Sequence, residues 1–245
     1  MPEAHVTAPD TDVLVELAGV VKDYQALRPL RIADLRVTRG AIVSLSGLDA
    51  LAAEVLVNLM TAAVRPDQGS VRLFGRATDA IDDYNGWLAM LDGFGLLTER
   101  AVLLDQFSVA QNLALPLTLS IDPIAADVLP AVEALADEVG IARADLSRTV
   151  RGVDPVVLQR VRLARALALG PRLLVAEHPT ASLPRAAVPA FARDLTRIVS
   201  ARGAGLLAIS ADREFVKALG GTALTHDPSS GVLSRPGLLA RLGLG

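Results

Sequence analysis

Short apolar runs alternate with longer segments of helical periodicity along most of the chain. Residues 13–18 and 30–37 alternate between apolar and polar positions, which is typical of antiparallel strands. Residues 42–46 have the apolar character of a buried parallel strand. Further strands are predicted at 70–73, 172–176, 205–209, 222–226 and 231–233, and helices at 50–63, 155–169, 185–202 and 212–219. This alternation predicts an α/β fold whose mainly parallel sheet lies between helices.

The middle of the chain is predicted to be helical. Residues 108–147 carry helical segments that are interrupted at Pro116, Pro123 and Gly140. Residues 1–12 resemble a loose tail. We therefore expect a single domain at 13–245, with a helical subdomain at approximately 100–165.

Composition and charge narrow the function classes. Of the 245 residues 51% are apolar, enough for a large core, and the net charge of −3 gives no basic footprint for nucleic acid. The absence of cysteine excludes disulfides and thiolate metal sites, and the three histidines are scattered, so we expect no metal site. The first residues lack the basic and apolar regions of a signal peptide, and the longest uncharged stretch, 106–121, is too short and polar to span a bilayer. We therefore expect a soluble, cytoplasmic chain.

Several segments, in order and at suitable spacing, resemble the ATP-binding cassette (ABC) ATPases over roughly residues 13–226. Gly47 follows the strand at 42–46, and Arg-Pro-Asp-Gln-Gly stands at 65–69, as around a Walker A loop. Further matches lie at 20–24, 94–99, 103–117, 159–167 (QRVRLARAL) and 173–183 (LLVAEHPTASL). The resemblance implies an ABC-ATPase-like P-loop fold with a mainly parallel core sheet, an N-terminal antiparallel β part and a helical subdomain.

The Walker A positions of this sequence depart from the family pattern, which makes the chain a degenerate member by resemblance. The second and third glycines of the family loop are Ala50 and Ala52, the lysine is Ala53, and the magnesium-binding hydroxyl is Glu54. Glycine reaches the torsions that turn backbone N–H groups towards phosphate, and alanine resists them. The lysine neutralises phosphate charge, which Ala53 cannot do.

The other nucleotide positions also differ from the family. The Q-loop glutamine is replaced by Glu99, the general base by His178 and the H-loop histidine by Ala211. The Walker B aspartate, which orients Mg²⁺ in the family, is replaced by Glu177. The signature motif, which in the family touches the γ-phosphate across a dimer, is replaced by the stretch around Asp154. Tyr24 matches the aromatic that stacks on adenine, although a lone aromatic there also suits packing. Glu177 and His178 are either a substitute base pair or a strand end without a ligand, and the second interpretation is the one we favour.

Two helix starts coincide with positions that hold phosphate in the family. Asp49 precedes a segment of good helix formers, and Asp154 precedes Pro155, so each aspartate is expected to act as an N-cap. A carboxylate at a helix N-terminus stabilises the helix and opposes an incoming phosphate. The hypothesis is a self-capped site in which the helix after Gly47 begins near residues 49–50.

The favoured function is a non-hydrolysing (pseudo-ATPase) ABC subunit that acts as scaffold or regulator of a membrane transport complex, without cofactor. One alternative is an ATP-binding and hydrolysing transporter subunit with unorthodox residues, which would use ATP and Mg²⁺; another is a soluble regulatory protein without a transporter. The resemblance implies an ABC permease, another ABC ATPase subunit or a second copy of the chain as partner, and a location at the inner membrane through that partner. The expected partner-binding residues are Gln106, Phe107, Val109, Asn112 and Leu115.

Overall fold

The computed structural model describes residues 12–81 and 83–235. The expected tail at 1–12 therefore lies outside the described residues, apart from Asp12. Two sheets and seven α-helices account for most of the described part of the chain. In chain order, the strands and helices are β1 (Val13–Lys22), β2 (Leu30–Thr38), β3 (Ile42–Ser46), α1 (Ala50–Met60), β4 (Gln68–Leu73), β5 (Arg76–Ala77), α2 (Tyr84–Leu91), β6 (Phe94–Leu97), α3 (Val109–Ala114), α4 (Leu129–Val139), α5 (Pro155–Leu167), β7 (Leu173–Glu177), α6 (Val188–Arg202), β8 (Gly205–Ile209), α7 (Arg213–Leu219), β9 (Thr222–His226) and β10 (Leu233–Ser234).

The central sheet has the strand order β10-β9-β3-β8-β7-β6. Strands β9, β3, β8, β7 and β6 are parallel neighbours, and β10 is antiparallel to β9. All residues of β7 and β8 are buried, as expected of parallel strands covered on both faces. The predicted α/β fold with a mainly parallel core sheet is confirmed.

The second sheet is antiparallel and has the order β2-β1-β4-β5. Strand β1 pairs with β2 on one side and with β4 on the other. The antiparallel pair predicted near the N-terminus is therefore correct, and it belongs to a larger sheet that β4 and β5 complete.

Two hydrophobic clusters cover the two faces of the central sheet. Alternate residues of β7 belong to different clusters: Leu174 and Ala176 pack with α4, α5 and α6, whereas Leu173 and Val175 pack with α1, β1 and β2. The carboxyl ends of β3 and β7 consequently meet the start of α1 at one edge of the sheet, where a ligand site is expected in such folds.

Some predicted boundaries were wrong. Helix α1 ends at Met60 rather than 63, because Thr61 Oγ1 bonds the carbonyl of Val57 and Ala62 adopts a positive φ of 54°. The helix expected at 155–169 ends at Leu167, and the one expected at 185–202 begins with a separate 3₁₀ turn, Arg185–Ala187. Within the described residues, no helix combines the length and apolar character needed to cross a membrane.

Candidate functional site

The turn from β3 into α1 forms the floor of the site. Gly47 has a φ of 88°, and a Cβ there would meet the carbonyl oxygen of His226 at 2.6 Å, so glycine is required. Helix α1 begins at Ala50, and Asp49 Oδ1 accepts a hydrogen bond of 2.8 Å from Ala52 N–H. The early, self-capped helix start predicted from the sequence is confirmed.

The side chains of α1 near this start have different exposures. Ala50 is exposed, whereas Ala53 is 0% exposed and belongs to the hydrophobic cluster between α1 and the sheets. The Ala53 N–H donates to the carbonyl of Asp49, 2.9 Å away, as in a regular helix. The residue at the lysine position thus faces the core. Glu54 follows it just beyond the first turn and is partly exposed.

Arg100 connects two acidic positions that are distant in sequence. Its Nη1 lies 2.6 Å from Glu54 Oε1, and its Nη2 lies 2.6 Å from Glu177 Oε2. Thr98 Oγ1 donates a further hydrogen bond of 3.0 Å to the same Glu177 oxygen. The Glu177 side chain is 8% exposed, while those of Arg100 and Glu54 are 43% and 41% exposed. The guanidinium therefore reaches from solvent to a buried carboxylate.

These groups lie in a cleft of about 600 Å³ between the start of α1, the end of β6 and the end of β7. The cleft brings together the predicted positions Glu54, Glu99, Glu177 and His178 with Ala50 and Leu51. Glu99 is exposed at its edge. Among the described residues, no group of three or more His, Asp and Glu side chains is arranged to hold a metal ion.

His178 has a strained backbone at the end of β7. Its φ is 44°, in the left-handed region that costs a non-glycine residue about 1–3 kcal/mol. The backbone holds it there, because its N–H donates to the Ile209 carbonyl at 2.9 Å and its carbonyl accepts from Ala181 N–H at 3.1 Å. Within the described chain the buried Nε2 has no hydrogen-bond partner. His178 therefore lies beside Glu177 without a bond that orients its ring as a base.

Tyr24 lies on the other side of the α1 start. Its ring is half-buried and packs against the cluster that contains α1. Burial raises the pKa of the Tyr24 hydroxyl, and the negative charge of Asp49 raises it further. Tyr24 and Asp49 are thus electrostatic neighbours, and packing of the aromatic ring is the role that the geometry provides.

Helix α5 repeats the capping of α1. Asp154 Oδ1 accepts hydrogen bonds from Val156 N–H at 2.9 Å and Val157 N–H at 3.1 Å, and Pro155 occupies the first turn. The predicted cap is confirmed. Ala211 is exposed after β8, and the adjacent Asp212 caps α7. Neither Asp154 nor Ala211 is among the residues that line the cleft.

The segment expected to bind a partner is only partly at the surface. Gln106 is exposed, and Phe107 and Leu115 are half-buried. Val109 and Asn112 are 0% exposed, so their assignment to a partner surface was wrong. The amide of Asn112 instead accepts from Leu104 N–H at 2.8 Å and donates to the carbonyls of Leu104 and Ser108, each at 3.0 Å, which fixes the chain before α3.

The residues present do not fit magnesium-bound ATP. A phosphate at the start of α1 would meet the Asp49 carboxylate, which already accepts from Ala52 N–H. Ala53 supplies no cation and faces the core. Glu54 and Glu177, which stand at the two magnesium positions of the resemblance, are paired with Arg100.

Sequence reasoning missed Arg100 and Thr98. The signal available in the sequence was charge. Arg100 directly follows Glu99, and Glu54 adds a carboxylate at the position where the family has a hydroxyl. An unpaired carboxylate beneath the surface is costly, so a partner for Glu177 was to be expected.

Comparisons with known proteins identify the family. No protein-family model matches the chain. The lipoprotein-releasing system ATP-binding protein LolD of Anaeromyxobacter dehalogenans is 35% identical over 175 residues, covering 69% of this chain and 72% of that protein. LolD of Maricaulis maris is 31% identical over 211 residues, covering 83% of this chain and 90% of that protein. The ribose import ATP-binding protein RbsA of a Ruegeria species is 27% identical over 201 residues, and the chain spans only 38% of its length.

Solved structures agree on the fold. A dimeric ATP-binding cassette bound to ADP and Pi superposes with a TM-score of 0.74 at 18% identity, covering 92% of this chain and all of that one. The cbiO1 protein of Clostridium perfringens, part of the cbiONQ ABC transporter complex, gives a TM-score of 0.76 at 16% identity and covers 95% of this chain. Because the relatives are named ATP-binding proteins, the comparisons favour the ATP-binding alternative and do not support the expectation of no cofactor. The chain belongs to the ATP-binding cassette family of ABC transporter ATP-binding proteins.

Proposed function

We propose that this cassette serves in a membrane transport complex as a subunit that does not hydrolyse ATP. The observation that carries the proposal is the start of α1, where Asp49 caps the helix and Ala53 is fully buried. A helix N-terminus binds phosphate through free N–H groups and a favourable dipole. Here the Asp49 carboxylate accepts the Ala52 N–H and lies at the positive end of the α1 dipole, so it takes the place of a phosphate.

Electrostatics supports the proposal. Two like unit charges 4 Å apart repel each other by about 4 kcal/mol at an effective dielectric constant of 20. A triphosphate at α1 would face Asp49 without a lysine to offset the repulsion. Asp154 places a second carboxylate at the start of α5, the position that resembles the signature motif. In the family, the Walker A loop of one cassette faces the signature motif of another across the nucleotide. Both of these positions carry a capping carboxylate here, which supports a scaffold or regulator rather than half of an active dimer.

The surface near α3 supports attachment to a partner. Val102 and Leu119, which flank the α3 region, are 75% and 93% exposed, and Gln106 is exposed between them. The permease of the same transport complex is the partner that we propose for this surface, with another cassette, of the same or a different chain, as a further partner. The chain would then be cytoplasmic and peripheral to the inner membrane through its permease.

The second candidate is an ATP-binding and hydrolysing subunit. The comparisons favour it, because the relatives are named ATP-binding proteins. In this case, Asp49 would have to leave its cap and Arg100 its two carboxylates before nucleotide and Mg²⁺ could enter. Glu177 and His178 would then supply the acidic and basic groups of the site.

A thermal shift and a phosphate-release assay, both with millimolar Mg-ATP, together separate the two functions. Ligand at 100 times its Kd stabilises a protein by about 2.7 kcal/mol, and each kcal/mol raises the Tm of a chain of this size by roughly 2–4 °C. The non-hydrolysing subunit should show no rise beyond that seen with Mg²⁺ alone and no phosphate release. Steady phosphate release from purified protein would exclude it. A rise of about 5 °C or more with Mg-ATP and no phosphate release would show nucleotide binding without hydrolysis, and would overturn the self-capped site on which the proposal rests.

A further inference from the structure

The Glu54–Arg100–Glu177 bridge occupies the positions that resemble the metal ligands of an active cassette. Glu54 stands at the hydroxyl position of α1 and Glu177 at the aspartate position of β7, the two positions assigned to magnesium by the resemblance. Both carboxylates converge on one guanidinium, each with an N–O distance of 2.6 Å. A cation of the protein itself therefore joins the two groups that a bound metal ion would join.

We propose that Arg100 is a built-in substitute for the divalent cation and holds α1, β7 and the β6–α3 connection in one arrangement whether or not nucleotide is present. This inference rests on the proposed function, since a cassette that binds Mg-ATP must release the bridge. Arg100 is a positioning residue in this role, because it acts by fixing other groups rather than by touching a substrate.

The chemistry of the three side chains suits this exchange. A guanidinium is planar, permanently charged and carries several N–H donors in a rigid fork, so one group can serve two carboxylates. Magnesium binds its oxygen ligands at about 2.0–2.1 Å. The two carboxylate oxygens here are instead spaced for hydrogen bonds to the guanidinium nitrogens, at 2.6 Å each. Glutamate is longer than the hydroxyl residue or the aspartate at the corresponding family positions. Two carboxylates paired with one guanidinium carry a net charge of −1. A divalent ion in place of the guanidinium would bring that net charge to zero.

The bridge also immobilises the chain that follows β6. Thr98 bonds Glu177, and Arg165 Nη1 donates to the Val102 carbonyl at 2.6 Å. Asn112 then binds the backbone of Leu104 on both its N–H and its carbonyl. Asn112 also donates to the Ser108 carbonyl at 3.0 Å. The β6–α3 connection, residues 98–108, is thus fastened at its start, middle and end. The fastening at its start combines the Thr98 hydrogen bond with the Arg100 ion pair to the same Glu177 oxygen.

Removal of Arg100 tests the substitution, with Mn²⁺ as the probe and no nucleotide present. In Arg100→Gln, Glu54, Glu177 and Thr98 face one another without a cation. We expect this variant to gain saturable Mn²⁺ binding in calorimetry and a Tm rise of several degrees in Mn²⁺. Wild type and Arg151→Gln should show neither, since Arg151 is an exposed arginine whose Nη2 lies 3.9 Å from Asp105 Oδ2, away from the bridge.

Two further variants make the test specific. The double variant Arg100→Gln/Glu54→Gln should lose the Mn²⁺ response. Arg100→Lys should have a Tm between those of Arg100→Gln and wild type, and it should not bind Mn²⁺. Equal Mn²⁺ binding by wild type and Arg100→Gln would overturn the inference. So would a folded Arg100→Gln protein that does not bind Mn²⁺.

A second measurement applies if Arg100→Gln does not fold with or without Mn²⁺. In Glu54→Gln the bridge to α1 is weakened while Glu177 remains paired, so amides of residues 98–104 should exchange hydrogen several-fold faster than in wild type. Unchanged exchange there would overturn the inference. These measurements omit ATP, so failure of the bridge model and failure of the non-hydrolysing function, which is detected by phosphate release, are separate results.

Discussion

Restoring the lysine of the Walker A position should damage the protein rather than activate it. In Ala53→Lys, an ammonium replaces a methyl group that is 0% exposed. Burying an ion costs several kcal/mol, and extra atoms in a packed core cost about 1–3 kcal/mol. A loss of about 3–6 kcal/mol follows, which corresponds to a Tm decrease of roughly 6–24 °C at 2–4 °C per kcal/mol for a chain of this size.

Two matched variants divide that loss into its causes. Ala53→Met adds volume without charge and should lose only the packing part, about 1–3 kcal/mol. Ala50→Lys adds the same charge at an exposed position of the same helix and should lose about 0.3–1 kcal/mol through the helix dipole. Thermal and urea unfolding measure the three losses, and a phosphate-release assay should show no turnover in any variant. A Tm of Ala53→Lys within 1 °C of wild type, or robust turnover, would refute the assignment of Ala53 to the core.

Three further predictions concern caps and titrating groups. Asp49→Ala removes the α1 cap and should lower the unfolding free energy by about 0.5–2 kcal/mol, whereas Asp49→Asn keeps the cap and should lose only a few tenths to 1 kcal/mol in urea titrations. Hydrogen bonds from Ser229 and Ser230 lower the pKa of Asp227 to about 2. The contribution of Asp227 to stability is therefore present above pH 3.8 and is lost as the pH falls from 3.8 towards 2. A carboxyl NMR titration of Ser229→Ala should show a higher Asp227 pKa than in wild type. Burial raises the pKa of Tyr24, so the folded state holds this proton more tightly than the unfolded chain. The unfolding free energy should therefore fall as the pH rises above 10.0. Unfolding curves of Tyr24→Phe should lack the Tyr24 contribution to this decrease.

The parallel strands were the most predictable part of the fold. The ranges predicted at 42–46, 205–209 and 222–226 coincide with β3, β8 and β9. Their apolar runs are short, and flanking glycines or polar residues end them, so local sequence alone defines the strand. The N-caps Asp49 and Asp154 were predictable for the same reason, since a cap acts on residues two or three positions away.

Helix α2 was not predicted, because its stability comes from contacts distant in sequence. The helix contains Asn85 and Gly86, which are poor helix formers. Asp83 caps it at Gly86 N–H, and Trp87 Nε1 donates to the Thr61 carbonyl at 2.9 Å. Asn112 was also misjudged from the sequence, where a polar residue suggests the surface. In the fold its side-chain amide is buried and forms hydrogen bonds with the backbone N–H and carbonyl of Leu104.

Arg100 could not be placed from the sequence because its partners lie on other elements. Glu177 follows it by 77 positions, and Glu54 lies on α1, across the edge of the sheet. The parallel order of β6, β7 and β8 brings the end of β6 beside the end of β7, which puts the two charges in contact. Topology therefore determines this bridge, and only the charge balance was visible beforehand.

The three altered features of the site depend on one another, which sets the conditions for any return to nucleotide chemistry. Asp49 satisfies the helix N-terminus, Ala53 completes the core and Arg100 neutralises Glu177. A lysine at 53 leaves the Asp49 carboxylate at the phosphate position, and removing Asp49 leaves Arg100 on the two carboxylates. Groups that act as a unit are strongly non-additive, so each single reversion should lose stability without gaining activity. Simultaneous replacement of all three is therefore the least that nucleotide entry requires, and Ala50 and Ala52 would still resist the torsions of a phosphate loop.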